Sequence, residues 1–186
     1  MVTRAPAPPY RAEGPRALWH VSEDPSITRF APHRAPTALT DEPLVWAIDT
    51  RHLPLYWFPR ECPRCTYWAG PRTTNADTER FLGGDRARQV HVVEPAWLER
   101  MRTHRVVAYR MPEETFVENN DRFWISADPV EPLELVELGD LVERHEAAEI
   151  ELGTEDDLLG FWDEVVASSL GYSGIRLRNA TSVGNQ

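Results

Sequence analysis

The sequence predicts an α+β fold: a single domain of two small, mostly antiparallel sheets with short helices. Three observations point there. Strand-like apolar runs are short, six or seven in number, and separated by turn-forming segments. Helical patterns are few, and the clearest lies near the C-terminus. The chain has 186 residues, 41% apolar and 27% charged, enough for one packed core and too apolar for wholesale disorder. The expected layout is a flexible Pro-rich leader over 1–16, the domain over 17–180 and a flexible tail over 181–186.

Order is expected from Ala17–Val21, a short strand. Side chains alternate along a strand, so Trp19 and Val21 share one face while His20 and Ser22 share the other. Trp19 and Val21 are expected to serve the core, and His20 with Ser22 to face a ligand cleft. Glu23–Ser26 reads as a turn, after which Ile27 and Phe30 pack inward. Leu44–Ile48 is an uninterrupted apolar run, the mark of a strand covered on both faces. Thr50 is placed to cap a short helix through Leu53 and Tyr56, with Pro54 near its start.

Pro59 and Pro63 bound an irregular loop, Cys65–Ala69 is the next strand, and Gly70–Gly84 reads as an exposed loop. Gln89–Glu94 is a strand, and Pro95 opens a short helix ending at Met101. Arg105–Met111 and Arg122–Ser126 are strands, and Val130–Leu138 is extended with Leu133 and Leu135 facing one way. Asp140 caps a further short helix. Thr154–Leu170 reads as the clearest helix: Thr154 caps it, Glu155, Asp156 and Asp157 complement its dipole, and Gly171 ends it. Leu158, Leu159, Phe161, Trp162, Val165, Val166 and Leu170 form its buried stripe.

Thirty acidic residues against twenty basic give a net charge of −10, which disfavours nucleic-acid backbones and anionic membranes as general partners. All twenty basic residues are Arg. The absence of Lys excludes a Walker A loop, Schiff-base chemistry, a Ser–Lys hydrolase and a kinase with the usual strand Lys. No apolar run approaches the ~18 residues of a membrane helix, and the N-terminus lacks the apolar stretch of a signal peptide. A soluble, cytoplasmic protein is expected.

Three constellations are chemical candidates. Cys62 and Cys65 invite a zinc or redox reading, but a second Cys pair is missing. His52, His91 and His104 would complete a zinc site only through tertiary contacts. Between Arg51 and Trp68, Arg51, Arg60 and Arg64 accompany Tyr56, Trp57, Phe58, Tyr67 and Trp68. That mixture suits either a small molecule with a ring and a phosphate, or Arg stacked structurally on aromatic rings. His20 with Ser22 is the third. A Ser hydrolase is disfavoured because no Gly-x-Ser-x-Gly elbow is present.

Leu18–Ile27, Val45–Thr50 and Tyr56–Arg60 together resemble an uncharacterised bacterial family of unknown function, over about Arg16 to Ala180. More distantly, the layout is similar to the ADP-ribosyltransferase superfamily, including its rifampicin-modifying and RNA 2′-phosphotransferase branches. Those proteins place a His, followed two residues later by Ser or Thr, on the first strand. A second strand then leads into a short helix with an aromatic residue. The matching positions here are His20, Ser22, strand Leu44–Ile48 and Tyr56. Asp121–Val130 resembles the third strand of that fold, and Leu133–Glu137 the next.

The resemblance implies a transferase using NAD or a related nucleotide as cofactor, with His20, Ser22 and Tyr56 catalytic. The His bonds a ribose hydroxyl, the neighbouring hydroxyl supports it, and the aromatic ring stacks on nicotinamide. Trp46, Thr50, Arg60 and Arg64 are the implied cofactor-binding residues, the arginines for the pyrophosphate. Many active members carry a third-strand Glu; here the stretch offers Asp121, Arg122 and Glu131, none in register, so the branches lacking that Glu are the closer analogues. The alternative is a non-catalytic nucleotide-binding, phosphate-binding or interaction module on the same scaffold.

Overall fold

Ten short strands and four short helices follow one another along the chain in the computed structural model, which describes residues 17–34, 42–119 and 123–181. The strands are β1 (Leu18–Ser22), β2 (Val45–Asp49), β3 (Arg64–Trp68), β4 (Gln89–Val93) and β5 (Val107–Met111), then β6 (Val117–Glu118), β7 (Phe123–Ser126), β8 (Glu134–Glu137), β9 (Glu151–Thr154) and β10 (Gly171–Ile175). The helices are α1 (Asn75–Leu82), α2 (Leu98–Thr103), α3 (Leu141–Ala147) and α4 (Leu158–Val166). The leader expected over 1–16, the tail from 182 onward and the candidate acid Asp121 with Arg122 lie outside the described residues.

Contacts gather the chain into two units, Met1–Trp57 with Arg105–Leu138 and Phe58–His104 with Gly139–Gln186. The first is built on a sheet of order β6-β7-β2-β1-β5-β8, antiparallel throughout. The second is built on β10-β3-β4-β9, antiparallel except for the parallel β4–β9 pair. The α+β class with two small, mostly antiparallel sheets is therefore what the chain forms.

In the first unit, cross-strand partners share a face. Leu18, Tyr109 and Met111 meet Val45, Ala47 and Trp124 on one face, joined by Phe30, Phe116 and Val130 from the connecting segments. Tyr109 fastens the segment after β1: its hydroxyl donates to the Asp24 carbonyl at 2.8 Å and accepts from Ile27 N–H at 3.0 Å. Ile27 and Phe30 do pack inward. One expectation needs correction. His20 lies on the same face as fully buried Leu18, so the core is not served by the Trp19–Val21 face alone. Leu133, just before β8, and Leu135 within it are both exposed.

The second unit corrects two readings. Gly70–Gly84 is not all loop, because it contains α1. Thr74 caps that helix by accepting from Asp77 N–H, Gly83 ends it in the left-handed conformation at φ 60°, and Leu82 is wholly buried. The segment from Thr154 is also not one helix. Thr154 ends β9, pairing with Val93; Asp157 is the actual cap, accepting from Gly160 N–H at 2.9 Å; and Gly171 begins β10. Leu158, Val165 and Leu170 are buried as expected, whereas Val166 is exposed.

Asp140 caps α3 as expected, accepting from Val142 N–H at 2.8 Å and Glu143 N–H at 3.1 Å. Asp140→Ala is expected to lower stability by about 1 kcal/mol, read as a shift in the denaturant midpoint at unchanged slope.

Candidate functional site

His20 sits mid-strand in β1, half-buried, with its ring 4.7 Å from that of Phe30. The β1–β2 register covers Leu18↔Asp49 and Trp19↔Ile48, whereas β1 stays paired to β5 as far as Ser22. Beyond Trp19 the imidazole takes over from the ladder, with Nδ1 lying 2.8 Å from the Trp46 carbonyl oxygen. A carbonyl only accepts, so Nδ1 carries the proton and the tautomer is fixed. The ring is thus oriented by backbone on one side and by Phe30 on the other.

The remaining predicted residues of this unit have distinct surroundings. Ser22 Oγ accepts from Asp24 N–H at 3.1 Å and shapes the turn behind His20. Trp46 contributes its carbonyl to His20, but its indole lies on the opposite sheet face, edge-on to Phe123 at 5.9 Å and opposite Ile125. The structure therefore does not bring the Trp46 side chain to His20. Thr50 is buried and does not cap the following helical turn. Its hydroxyl accepts from Ala17 N–H at 2.8 Å and Trp19 Nε1–H at 2.9 Å, clamping the start of β1. Tyr56 ends the 3-10 turn Leu53–Tyr56 and is half-buried.

A pair that sequence reasoning did not single out joins the end of β2 to the residue before that turn. Asp49, 3% exposed, accepts through Oδ1 from His52 Nδ1–H at 2.9 Å and from His52 N–H at 3.0 Å. The i, i+3 spacing of Asp and His after an apolar strand was the available signal.

Arg60 and Arg64 belong to the second unit. Arg60 is exposed, and its carbonyl accepts from Arg176 Nε–H at 3.1 Å. Arg64 is buried, its guanidinium 4.9 Å from the Phe58 ring centroid and donating to the Cys62 carbonyl at 3.0 Å. That matches the structural use of Arg on aromatic rings. Cys62 and Cys65 are free and fully buried, and burial pushes each thiol up to about 12. Burial of this kind disfavours the thiolate that a redox pair needs. Among the described residues no group of three or more His, Cys, Asp or Glu is placed to hold a metal ion.

The second unit also buries two imidazoles in one chain of hydrogen bonds. His145 Nδ1–H donates to the Leu141 carbonyl at 2.6 Å, so its Nε2 accepts from His91 Nδ1–H at 2.9 Å. His91 Nε2 then accepts from the Gln89 amide at 2.9 Å. Phe58 packs on both rings, with centroids 5.6 and 5.1 Å away. Burial holds His145 down at about 4, with Arg144 adding to the effect and the Leu141 bond opposing it. Burial, then His145 and Arg64, holds His91 well below its ordinary value. Two neutral rings with fixed tautomers result.

A family model matches residues 19–180, from β1 to just past the last 3-10 turn. The chain belongs to DUF6886, a family of unknown function. The span matched by DUF6886 takes in both sheets and every candidate residue named above, in agreement with the resemblance drawn from Leu18–Ile27, Val45–Thr50 and Tyr56–Arg60. No curated protein and no solved structure matches the chain. No helix among the described residues is long and apolar enough to cross a membrane.

Proposed function

We propose that the first unit binds NAD or a related nucleotide and transfers its ADP-ribosyl group to an acceptor. The observation that carries this reading is the fixed, half-buried imidazole of His20, held by the Trp46 carbonyl where the β1–β2 ladder gives way. An oriented ring of this kind is what a ribose hydroxyl needs as a hydrogen-bond partner. The similarity to ADP-ribosyltransferases assigns that same role to His20. It assigns nicotinamide stacking to Tyr56, which the 3-10 turn after β2 presents half-buried. Ser22 supports the reading indirectly, by fixing the turn next to His20.

Titration calorimetry with NAD, ADP-ribose and nicotinamide at millimolar concentration tests binding, and chromatography of released nicotinamide tests turnover. Binding with release supports the transferase. Binding without release reduces the reading to a nucleotide-binding module. Absence of heat and of thermal shift with all three compounds overturns it. His20→Ala is expected to weaken nucleotide binding by about 1–3 kcal/mol while the chain still folds, because a buried polar partner is lost to the ligand. Unchanged affinity in a folded His20→Ala variant would remove His20 from the site.

A further inference from the structure

Asp49 and His52 carry an arrangement to which neither the family match nor the ADP-ribosyltransferase resemblance gives a role. The carboxylate is buried and holds the imidazole by Nδ1–H while also taking the His52 backbone N–H. The main chain closes the same turn, with His52 N–H donating to the Asp49 carbonyl at 3.1 Å. Leu53, Pro54 and Leu55 are buried immediately afterwards, so the backbone that carries His52 is anchored on both sides. The ring cannot change tautomer without giving up its carboxylate. In the neutral ring, Nδ1 is therefore the protonated nitrogen and Nε2 the one with the lone pair. Nε2 has no hydrogen-bond partner among the described residues, and the His52 side chain is 17% exposed. A turn-closing Asp needs only the backbone N–H. The second bond, to Nδ1–H, uses a buried carboxylate to orient an imidazole that stays partly exposed.

The position matches the proposed nucleotide site. Asp49 is the direct cross-strand partner of Leu18, and His20 is two residues from Leu18 on the same face. His20 and Asp49 are thus diagonal neighbours on adjacent strands, about 7–8 Å apart at Cα.

Resting on the nucleotide reading above, we propose that His52 Nε2 is the general base for the acceptor, and that the acceptor is a hydroxyl compound. Imidazole suits an O–H nucleophile, whereas a guanidinium acceptor holds its proton too tightly for it. In the step, Nε2 takes the hydroxyl proton as the acceptor oxygen bonds to ribose C1′. The C1′–N bond breaks and its electron pair leaves with nicotinamide, which departs neutral. Asp49 stabilises the imidazolium, which then passes its proton to water.

The test uses the full chain, NAD, and water or methanol as acceptor, with binding by calorimetry and turnover by nicotinamide release. His52→Asn, whose amide nitrogen takes the place of Nδ1 towards Asp49, is expected to bind NAD as the parent does and to lose about 10²-fold or more in kcat. His52→Ala is expected to regain part of that rate when imidazole is added. Parent-like turnover in His52→Asn, or failure of imidazole to restore His52→Ala while NAD still binds, overturns the proposal. NAD binding without nicotinamide release by the parent overturns the base assignment and leaves the nucleotide site standing. Absence of NAD binding by the parent overturns both.

Discussion

Tyr109→Ala is expected to destabilise the chain by about 3–5 kcal/mol, the cost of truncating a fully enclosed aromatic side chain. Tyr109 is 2% exposed and packs edge-on to Phe30 at 5.2 Å. Its hydroxyl also joins β5 to the segment after β1, through the Asp24 carbonyl and the Ile27 N–H. Tyr109→Phe separates the two contributions. It keeps the ring and leaves both backbone groups without their partner, for an expected loss of about 1–3 kcal/mol. Urea unfolding of both variants measures this. Equal, small losses would mean that neither the ring nor the hydroxyl organises this face. The consequence reaches the proposed site, since Phe30 also sits against His20.

His145→Ala is expected to cost on the order of 3–5 kcal/mol, because it opens a cavity and leaves a buried polar group unpaired. That group is His91 Nδ1–H, whereas the Leu141 carbonyl keeps its place in the α3 ladder. The His91–His145 pair also makes the protein acid-sensitive. Both imidazoles titrate lower in the folded chain than in the unfolded one, His145 at about 4 against 6.5. Between those values the unfolded chain binds more protons, so stability falls as pH falls. The contribution is whole above pH 6.5 and is lost progressively down towards pH 4. Denaturant midpoints measured from pH 7.5 to 4.5 should decline, with proton uptake on unfolding. A flat profile across that window would show that the two rings are not buried neutral.

Much of the fold was legible because strands with strong apolar runs announce themselves. Val45–Asp49 and Gln89–Val93 lie within a residue of where the sequence puts them. The failures share a cause: structure there is fixed by partners distant in the chain. The helix Asn75–Leu82 has only Phe81 and Leu82 as large apolar residues, and its caps Thr74 and Gly83 are visible only once a helix is suspected. The strand Gly171–Ile175 contains two glycines, poor strand formers whose value is space. A Cβ on Gly174 would lie 2.6 Å from Leu177 and 2.7 Å from Trp162. Thr154 looked like a helix cap by composition, yet it is held as a strand end by parallel pairing with Val93.

The candidate site was half legible. His20 and Ser22 were readable from strand alternation and from the resemblance. The face they share was misjudged because Leu18, one residue before Trp19, is as apolar as Trp19 and Val21, and period-2 reasoning alone does not say which side a core will take. The Trp46 carbonyl as the partner of His20 depends on where the β1–β2 ladder stops, which no residue type encodes. The link between His91 and His145 spans 54 residues and was equally hidden.

The proposed nucleotide site lies on the first unit around His20. Amide and imidazole NMR shifts of the labelled full chain, followed while ADP-ribose is added, test it most directly. Saturable shifts are expected at His20, Ser22 and the Tyr56 ring, with the His91 and His145 resonances unmoved. Shifts confined to the second unit, or none at millimolar ADP-ribose, would contradict it.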